Sequence, residues 1–301
     1  YLEQMYQAGL HGQFDIMGAQ VYGLWTGPYD RRASRDRSNF SRPQLLREIM
    51  VRHGDGDKPI WATEVGWNCL PTDFAGPANY GRVTPEKQAA YAVEAYQRAA
   101  REWPWMGVMN YWFFRRPTDS ERGQSWYYFR MVEPDFQPLP VYGAMSWLAN
   151  QPPRVPIGYH QQDHWALHYD GPWQHLADEK AVLGGLARGA AGASLRFTFD
   201  GTALQLVTSD PQAVSSVQVR IDGQPARLRA PWPPPSSGPV ALSVGSRLAD
   251  GPHEVLLSVE EGSFCLDGLI VRRTQPPYWL AIPLVAAIVL AAQAARRAAE
   301  R

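Results

Sequence analysis

Hydrophobic and polar positions change their rhythm near residue 151. Before it, short apolar runs alternate with segments of helical periodicity, and after it apolar and polar residues alternate at every second position. The first pattern is typical of βα units with a parallel sheet, and the second of antiparallel β-structure. The pattern therefore predicts an α/β part over residues 1–150, a proline-rich linker at 151–157 and a β-sandwich over 158–274.

Three strand-and-helix units are expected in the first part. They place strands and helices in turn at residues 14–23, 41–53, 58–67, 84–102, 106–114 and 141–150. The middle helix has the clearest start, because Thr84 can cap it and Pro85 suits its first position. The pattern of the first ten residues is typical of the end of an amphipathic helix. We therefore expect the chain to begin inside a domain, so that a signal peptide could precede it.

Short alternating runs fill residues 158–271, separated by turn residues. Asp-Gly pairs at 200–201, 222–223 and 250–251 predict hairpins, because both residues tolerate the positive φ angles of tight turns. The tail from Tyr278 to Ala295 carries no charge and predicts a transmembrane helix at 278–295. The alternative is an apolar helix docked on the sandwich. If the helix spans the membrane, Arg296 and Arg297 face the cytoplasm, with the folded part at the cell surface.

Composition excludes some classes of function. Lys plus Arg equal Asp plus Glu at 29 each, which argues against a nucleic-acid partner. The 12 Trp and 14 Tyr suit the faces of sugars, although core packing explains most such residues. Cys69 and Cys265 support neither a disulfide framework nor a metal site, and the seven His form no convincing ligand set. We therefore expect no metal and no cofactor.

Glu64 is the strongest candidate for chemistry. It stands at the end of the second predicted strand, among apolar residues on both sides. A carboxylate in such surroundings is costly unless it has hydrogen-bond partners and a function, so we expect catalysis rather than a buried structural role.

The run PIWATEVGWN, which contains Glu64, resembles the seventh strand of clan A glycoside hydrolases, the cellulase-like and xylosidase-like (β/α)8 barrels. DIMGAQVYG and MNYWFF resemble the sixth and eighth strands in the same order. The resemblance covers residues 1–150 and implies the C-terminal portion of a TIM barrel. It also implies that Glu64 is the nucleophile, that Tyr22 hydrogen-bonds it, and that Trp112 floors the sugar subsite.

Two features depart from that family. Gln20 stands where the sixth strand often has His, and the Asn-Glu pair that holds the acid/base in relatives occurs nowhere in the chain. Retaining hydrolysis needs a second carboxyl group about 5 to 5.5 Å from the nucleophile. We therefore expect the acid/base upstream of Tyr1, which makes this chain a fragment that is inactive alone.

Further residues on the predicted strand-end loops are expected to bind substrate, namely Trp25, Trp67, Asn68 and Arg115, with Tyr80 beside them. The sandwich resembles the galactose-binding-like jelly rolls of carbohydrate-active enzymes, in runs such as LRFTFDGTALQLV and FCLDGLIV. It is either a glycan-binding module, through Trp165, Tyr169, Asp170 and Trp173, or a structural spacer.

These observations predict a membrane-anchored, cell-surface retaining glycoside hydrolase that acts on O-glycosidic bonds of poly- or oligosaccharides. The rival is a non-catalytic glycan-binding protein with a degenerate barrel. A third possibility is a soluble β-rich interaction protein.

Overall fold

The computed structural model describes residues 1–209, 217–231, 233 and 238–274. The α/β part contains helices α1 to α4 and strands β1 to β3. In chain order these are α1 Leu2–Gln7, β1 Met17–Tyr22, α2 Pro43–Arg52, β2 Ile60–Gly66, α3 Pro85–Glu102, β3 Met106–Tyr111 and α4 Pro140–Ala149. Two short 3₁₀ helices, Asp119–Glu121 and Ser125–Phe129, lie in the loop after β3.

The three strands form a parallel sheet in the order β1-β2-β3. One face of the sheet packs on the helices around a core that includes Ile60, Ala62, Val65 and Trp67. Alternation explains this in β2, where Ile60 and Ala62 are buried while Trp61 and Thr63 are exposed. The carboxyl ends of all three strands therefore lie at the same edge of the sheet.

The predicted fold class is wrong. A barrel needs a closed ring of hydrogen-bonded strands, whereas the described α/β part holds an open sheet in which β1 and β3 do not meet. The described residues are dominated by strands, with four α-helices among them. None of these helices is long and apolar enough to cross a membrane. The predicted transmembrane segment, 278–295, lies outside the described residues.

The remaining strands are antiparallel and belong to the second part. They are β4 Gly158–Gln161, β5 His168–Asp170, β6 Trp173–Ala177, β7 Gly185–Ala190, β8 Ser194–Gly201, β9 Ala203–Thr208, β10 Val217–Ile221, β11 Gln224–Ala226, β12 Val240–Gly245, β13 Gly251–Val259, β14 Ser263–Leu266 and β15 Gly268–Arg272. Their sheets have the orders β11-β10-β13-β8-β5, β12-β9-β15-β4 and β14-β7-β6.

Every second residue of β8 is buried, in the pattern that its alternating sequence predicts. The side chains form one apolar core with those of the neighbouring sheets, including Leu195, Phe197, Phe199 and Leu257. The stretch predicted as a linker joins this core, because Val155 is fully buried and its N–H donates to the Thr198 carbonyl at 2.8 Å.

Arg273 connects the two parts. Its guanidinium is nine-tenths buried, contacts Asp250 at 2.6 Å and also pairs with Asp200. It donates a further hydrogen bond to the Arg101 carbonyl at the end of α3, at 3.0 Å. One cation thus joins the last turn of α3 to the sandwich.

Candidate active site

A β-bulge directs Glu64 away from the core. Ala19 of β1 pairs with Ala62, but the next residue, Gln20, pairs with Glu64, so that Thr63 is an extra residue in β2. The register towards β3 shifts over the same residues. Without the extra residue Glu64 would share the buried face of Ile60 and Ala62. With it, Val65 takes the buried position and Glu64 is half-exposed, as expected where bulges re-aim side chains near functional sites.

Two donors hold one oxygen of the Glu64 carboxylate. The Tyr22 hydroxyl donates to Oε2, and the Gln20 amide donates to the same oxygen at 3.1 Å. Both donors lie on β1, which pairs directly with β2. The other oxygen, Oε1, receives no hydrogen bond from the described residues. The carboxylate is therefore fixed in orientation while one oxygen stays free to react.

Tyr22 is suited to remain a donor. Its ring packs against Phe129 with centroids 5.3 Å apart. Burial raises the pKa of Tyr22 well above its ordinary value, and the hydrogen bond to the Glu64 carboxylate raises it further. The phenol therefore keeps its proton at neutral and moderately alkaline pH.

A cavity of about 290 Å³ opens in front of Glu64. Its walls are mainly aromatic with a few polar groups, contributed by Gln20, Tyr22, Glu64, Tyr80, Trp112, Arg116, Trp126 and Phe129. An apolar wall with few polar groups is typical of sites that bind small organic ligands. Of the predicted site residues, the structure brings Glu64, Tyr22, Trp112 and Tyr80 together here.

Arg116 is the cation of this cavity. Its guanidinium lies over the ring of Phe113 at 4.6 Å, and its Nε is 2.9 Å from Oε2 of Glu121. The Trp126 indole N–H donates to the same Glu121 oxygen at 3.4 Å. Glu121 thus contacts two side chains of the cavity wall through one carboxylate oxygen. The predicted residue, Arg115, is its neighbour in the chain and does not line the cavity; it donates to the Pro134 carbonyl and lies over Phe136.

Trp67 and Asn68 do not line the cavity. Both are fully buried, and the Trp67 indole donates to the Thr26 carbonyl at 2.7 Å. The Asn68 amide donates to the Ser125 carbonyl at 3.0 Å, next to Trp126 in the chain. Asn68 therefore supports the loop that carries part of the cavity wall.

Trp25 is also outside the cavity, in a shallow cavity of its own on the loop after β1. In the sandwich, Trp165 is exposed, whereas the hydroxyl of Tyr169 donates to the Gln162 carbonyl and the indole of Trp173 donates to the Ser194 carbonyl.

Three wall residues had no signal in the sequence. Trp126 and Phe129 belong to a 3₁₀ helix well beyond the end of β3, and Arg116 follows the predicted Arg115 by one position. Only the loop conformation after β3 brings them to Glu64. The strand-end position of Arg115 was the one signal that pointed to this loop.

A larger cavity, of about 520 Å³, lies between the two parts of the chain. Its cations are engaged by protein groups: Arg31 pairs with Glu102, Arg101 and Arg273 pair with Asp250, and Arg47 donates to the Lys58 carbonyl at 2.8 Å. This cavity therefore has the chemistry of an internal interface rather than of a reaction site.

No family model matches the chain, and no curated protein matches it. Among 44 matching chains of known structure is a family 39 glycoside hydrolase from the gut symbiont Bacteroides cellulosilyticus WH2, with 17% identity and a TM-score of 0.40. The match covers 85% of this chain and 46% of that one.

Two further matches are shorter. The exo-β-1,3-galactanase of Phanerochaete chrysosporium has 16% identity and a TM-score of 0.30, over 38% of this chain and 29% of that chain. A Paenibacillus xanthan lyase has 16% identity and a TM-score of 0.31, over 41% and 14%. By name, all three are carbohydrate-processing enzymes, and this chain spans less than half the length of each. TM-scores below 0.5 do not establish a shared fold, so no family is assigned.

Proposed function

We propose that this chain carries the nucleophile of a retaining glycoside hydrolase that acts on poly- or oligosaccharides. The observation that supports it best is the Glu64 carboxylate, which has one oxygen held by Tyr22 and Gln20 and the other free towards an aromatic cavity. Aromatic walls suit the apolar faces of a sugar ring, and Arg116 can donate to its hydroxyl groups.

The chemistry follows from this arrangement. Oε1 of Glu64 attacks the anomeric carbon, the bond from that carbon to the leaving oxygen breaks, and a glycosyl ester forms on Glu64. Water then attacks the same carbon and gives a proton to the second carboxyl group, which lost its own proton to the leaving oxygen; the sugar is released and the Glu64 carboxylate is restored. Tyr22 and Gln20 keep the carboxylate in line for attack, because both donate to the oxygen that does not react.

The leaving oxygen needs a proton from a second carboxyl group. Among the described residues that line the cavity, Glu64 is the one carboxylate, and Glu121 lies behind Arg116 and Trp126. The proposal therefore assigns the nucleophile to this chain, while the acid/base expected from sequence stays a prediction, as does the cell-surface location.

An activated substrate tests Glu64 without that acid. Dinitrophenol leaves without protonation, and a fluorine beside the anomeric carbon slows hydrolysis of the ester, so dinitrophenyl fluoroglycosides trap the intermediate. We expect intact-protein mass spectrometry to find one added fluorosugar, located by peptide mapping on Glu64. Glu64→Gln should form no adduct. The matched control Glu94→Gln, on the helix α3, should react like the parent.

A non-catalytic glycan-binding role is the second candidate, favoured by the single carboxylate in the cavity wall. It predicts that gluco-, xylo- and galacto-configured reagents all leave the protein unlabelled while free sugars still bind. If peptide mapping finds the fluorosugar on a residue other than Glu64, both the hydrolase proposal and the glycan-binding proposal for Glu64 are rejected.

A further inference from the structure

A second cavity, of about 280 Å³, lies on the loop that follows β1, the strand that carries Tyr22 and Gln20. It is lined by Leu24, Trp25, Thr26, Asp36, Arg37 and Ser38. Trp25 is 62% exposed, although an indole in water forgoes the free energy of burying its large apolar surface. A sugar ring offers one apolar face and a rim of hydroxyl groups. The exposed indole matches the apolar face. The Asp36 carboxylate, the Arg37 guanidinium and the Ser38 hydroxyl match the rim, although each also contacts a protein group: Ser34, Asp30 at 3.7 Å, and Arg42 at 2.7 Å, respectively.

The backbone holds Trp25 in this exposed position. Leu24 has φ of 53°, a left-handed conformation that costs a non-glycine residue about 1 kcal/mol or more. The surroundings maintain it, because Gly81, in the loop after β2, lies against the Leu24 carbonyl. A Cβ at Gly81 would be 2.3 Å from that oxygen, and its φ of +78° also favours glycine. The strained loop is therefore fixed by contact with its neighbour, as is common at ligand sites.

The same contact joins segments that line the two cavities. Leu24 lines the second cavity, whereas Tyr80, adjacent to Gly81, lines the cavity of Glu64. Tyr22 and Trp25 are three residues apart, so their Cα atoms are separated by at most about 11 Å. Both cavities are thus within reach of one short oligosaccharide.

We propose that an oligosaccharide of two or more units binds across both cavities, with Trp25 stacked on a sugar next to the one at Glu64. This inference rests on the proposed function, and it adds a second sugar-binding position, at Trp25, to the one at Glu64. Trp25 acts as a specificity residue for chain length.

Calorimetric titration of the chain with gluco-, xylo- and galacto-oligosaccharides, from monomer to hexamer, tests this. We expect affinity to rise with length until both cavities are filled. Trp25→Ala should weaken binding of the longer oligomers about tenfold or more, as expected for loss of an aromatic contact, and should leave the monomer unaffected. Trp25→Phe should retain most of the affinity. The control Trp147→Ala removes another exposed indole, on α4, and should change nothing.

Equal affinity for monomer and hexamer, the absence of binding by every oligomer, or the same loss in both alanine variants would overturn the proposal. Labelling by a dinitrophenyl fluoroglycoside of one sugar separates it from the proposed function. Trp147→Ala should label at the parental rate, while Glu64→Gln should fail to label but keep the dependence on length. Length-dependent binding through Trp25 without labelling would reject the hydrolase and keep the subsite, and labelling without length dependence would do the reverse.

Discussion

Replacing Tyr22 by Phe tests how the Glu64 carboxylate is held. The change removes the O–H donor to Oε2 and keeps the ring, whose contact with Phe129 needs no hydroxyl. A hydrogen bond to a charged acceptor contributes about 1.5–3 kcal/mol. If that stabilisation orients the nucleophile, Tyr22→Phe should slow labelling of Glu64 by roughly 10- to 150-fold. The Gln20 amide remains as a donor, which places the expected loss nearer the lower figure.

The assay is the rate of fluoroglycoside labelling, followed by intact mass over time at several pH values. Since the pKa of Tyr22 is raised, its phenol stays protonated up to moderately alkaline pH, and the ratio of the two rates should be constant between neutral and moderately alkaline pH. Tyr96→Phe is the matched control, because the Tyr96 hydroxyl donates to the Met109 carbonyl at 2.9 Å, outside the cavity. An unchanged rate in Tyr22→Phe, or an equal loss in Tyr96→Phe, would refute the orienting role.

Two further predictions concern stability, both measured by urea unfolding. Arg273→Ala should lower the free energy of unfolding by about 2 kcal/mol, because two aspartates lose a largely buried cation. The control Arg196→Ala removes an exposed contact and should leave the free energy of unfolding almost unchanged. Equal losses in the two variants would contradict this prediction. Burial lowers the pKa of His253, but its hydrogen bond to Asp222 prevails and raises it, while the same bond lowers the pKa of Asp222. The pair contributes less than about 1 kcal/mol to stability, and this contribution is lost as pH rises through the raised pKa of His253. Asp222→Asn should therefore lower the free energy of unfolding more near pH 6 than near pH 9. A loss of stability that does not change with pH would disprove the prediction.

Local signals in the sequence predicted the elements of the α/β part. Helix α3 begins at Pro85, as the cap and the proline indicate, and the Thr84 hydroxyl accepts a hydrogen bond from the Lys87 N–H at 3.3 Å. Helix α2 and all three parallel strands lie within two or three residues of their predicted starts. Helix starts and strand positions depend on residues that are close together in the chain, so they can be predicted from one sequence.

The sequence did not predict which distant strands pair with each other. Asp222-Gly223 makes the predicted hairpin, with φ of 52° and 76° at the turn between β10 and β11. The prediction is wrong at Asp200-Gly201, since β8 and β9 belong to different sheets, and at Asp250-Gly251, which precedes β13 while β12 pairs with β9. Asp200-Gly201 forms the end of β8 and Gly251 begins β13, so of the three dipeptides only Asp222-Gly223 lies in a tight hairpin turn.

The predicted barrel failed for a related reason. The resemblance rested on three strand motifs, and each motif describes one strand and the residue at its end. Closure depends on strands that no motif describes, and the described residues supply three parallel strands in an open sheet. The resemblance therefore concerned the strands and their end residues, and it held no information on the strands that would close a barrel.

The position of Glu64 follows from register, which the strand sequence does not contain. Strict alternation along Ile60–Gly66 would bury Glu64 on the face of Ile60, where a carboxylate without partners is unstable. Thr63 prevents this by entering β2 as an extra residue, and its hydroxyl donates to the Ala19 carbonyl at 3.1 Å. Because that oxygen belongs to β1, the bulge is stabilised by the strand that also supplies Gln20 and Tyr22. The pairing of β1 with β2 thus exposes the Glu64 carboxylate and also provides its two hydrogen-bond donors. The reactivity proposed for Glu64 therefore depends on the β1–β2 register.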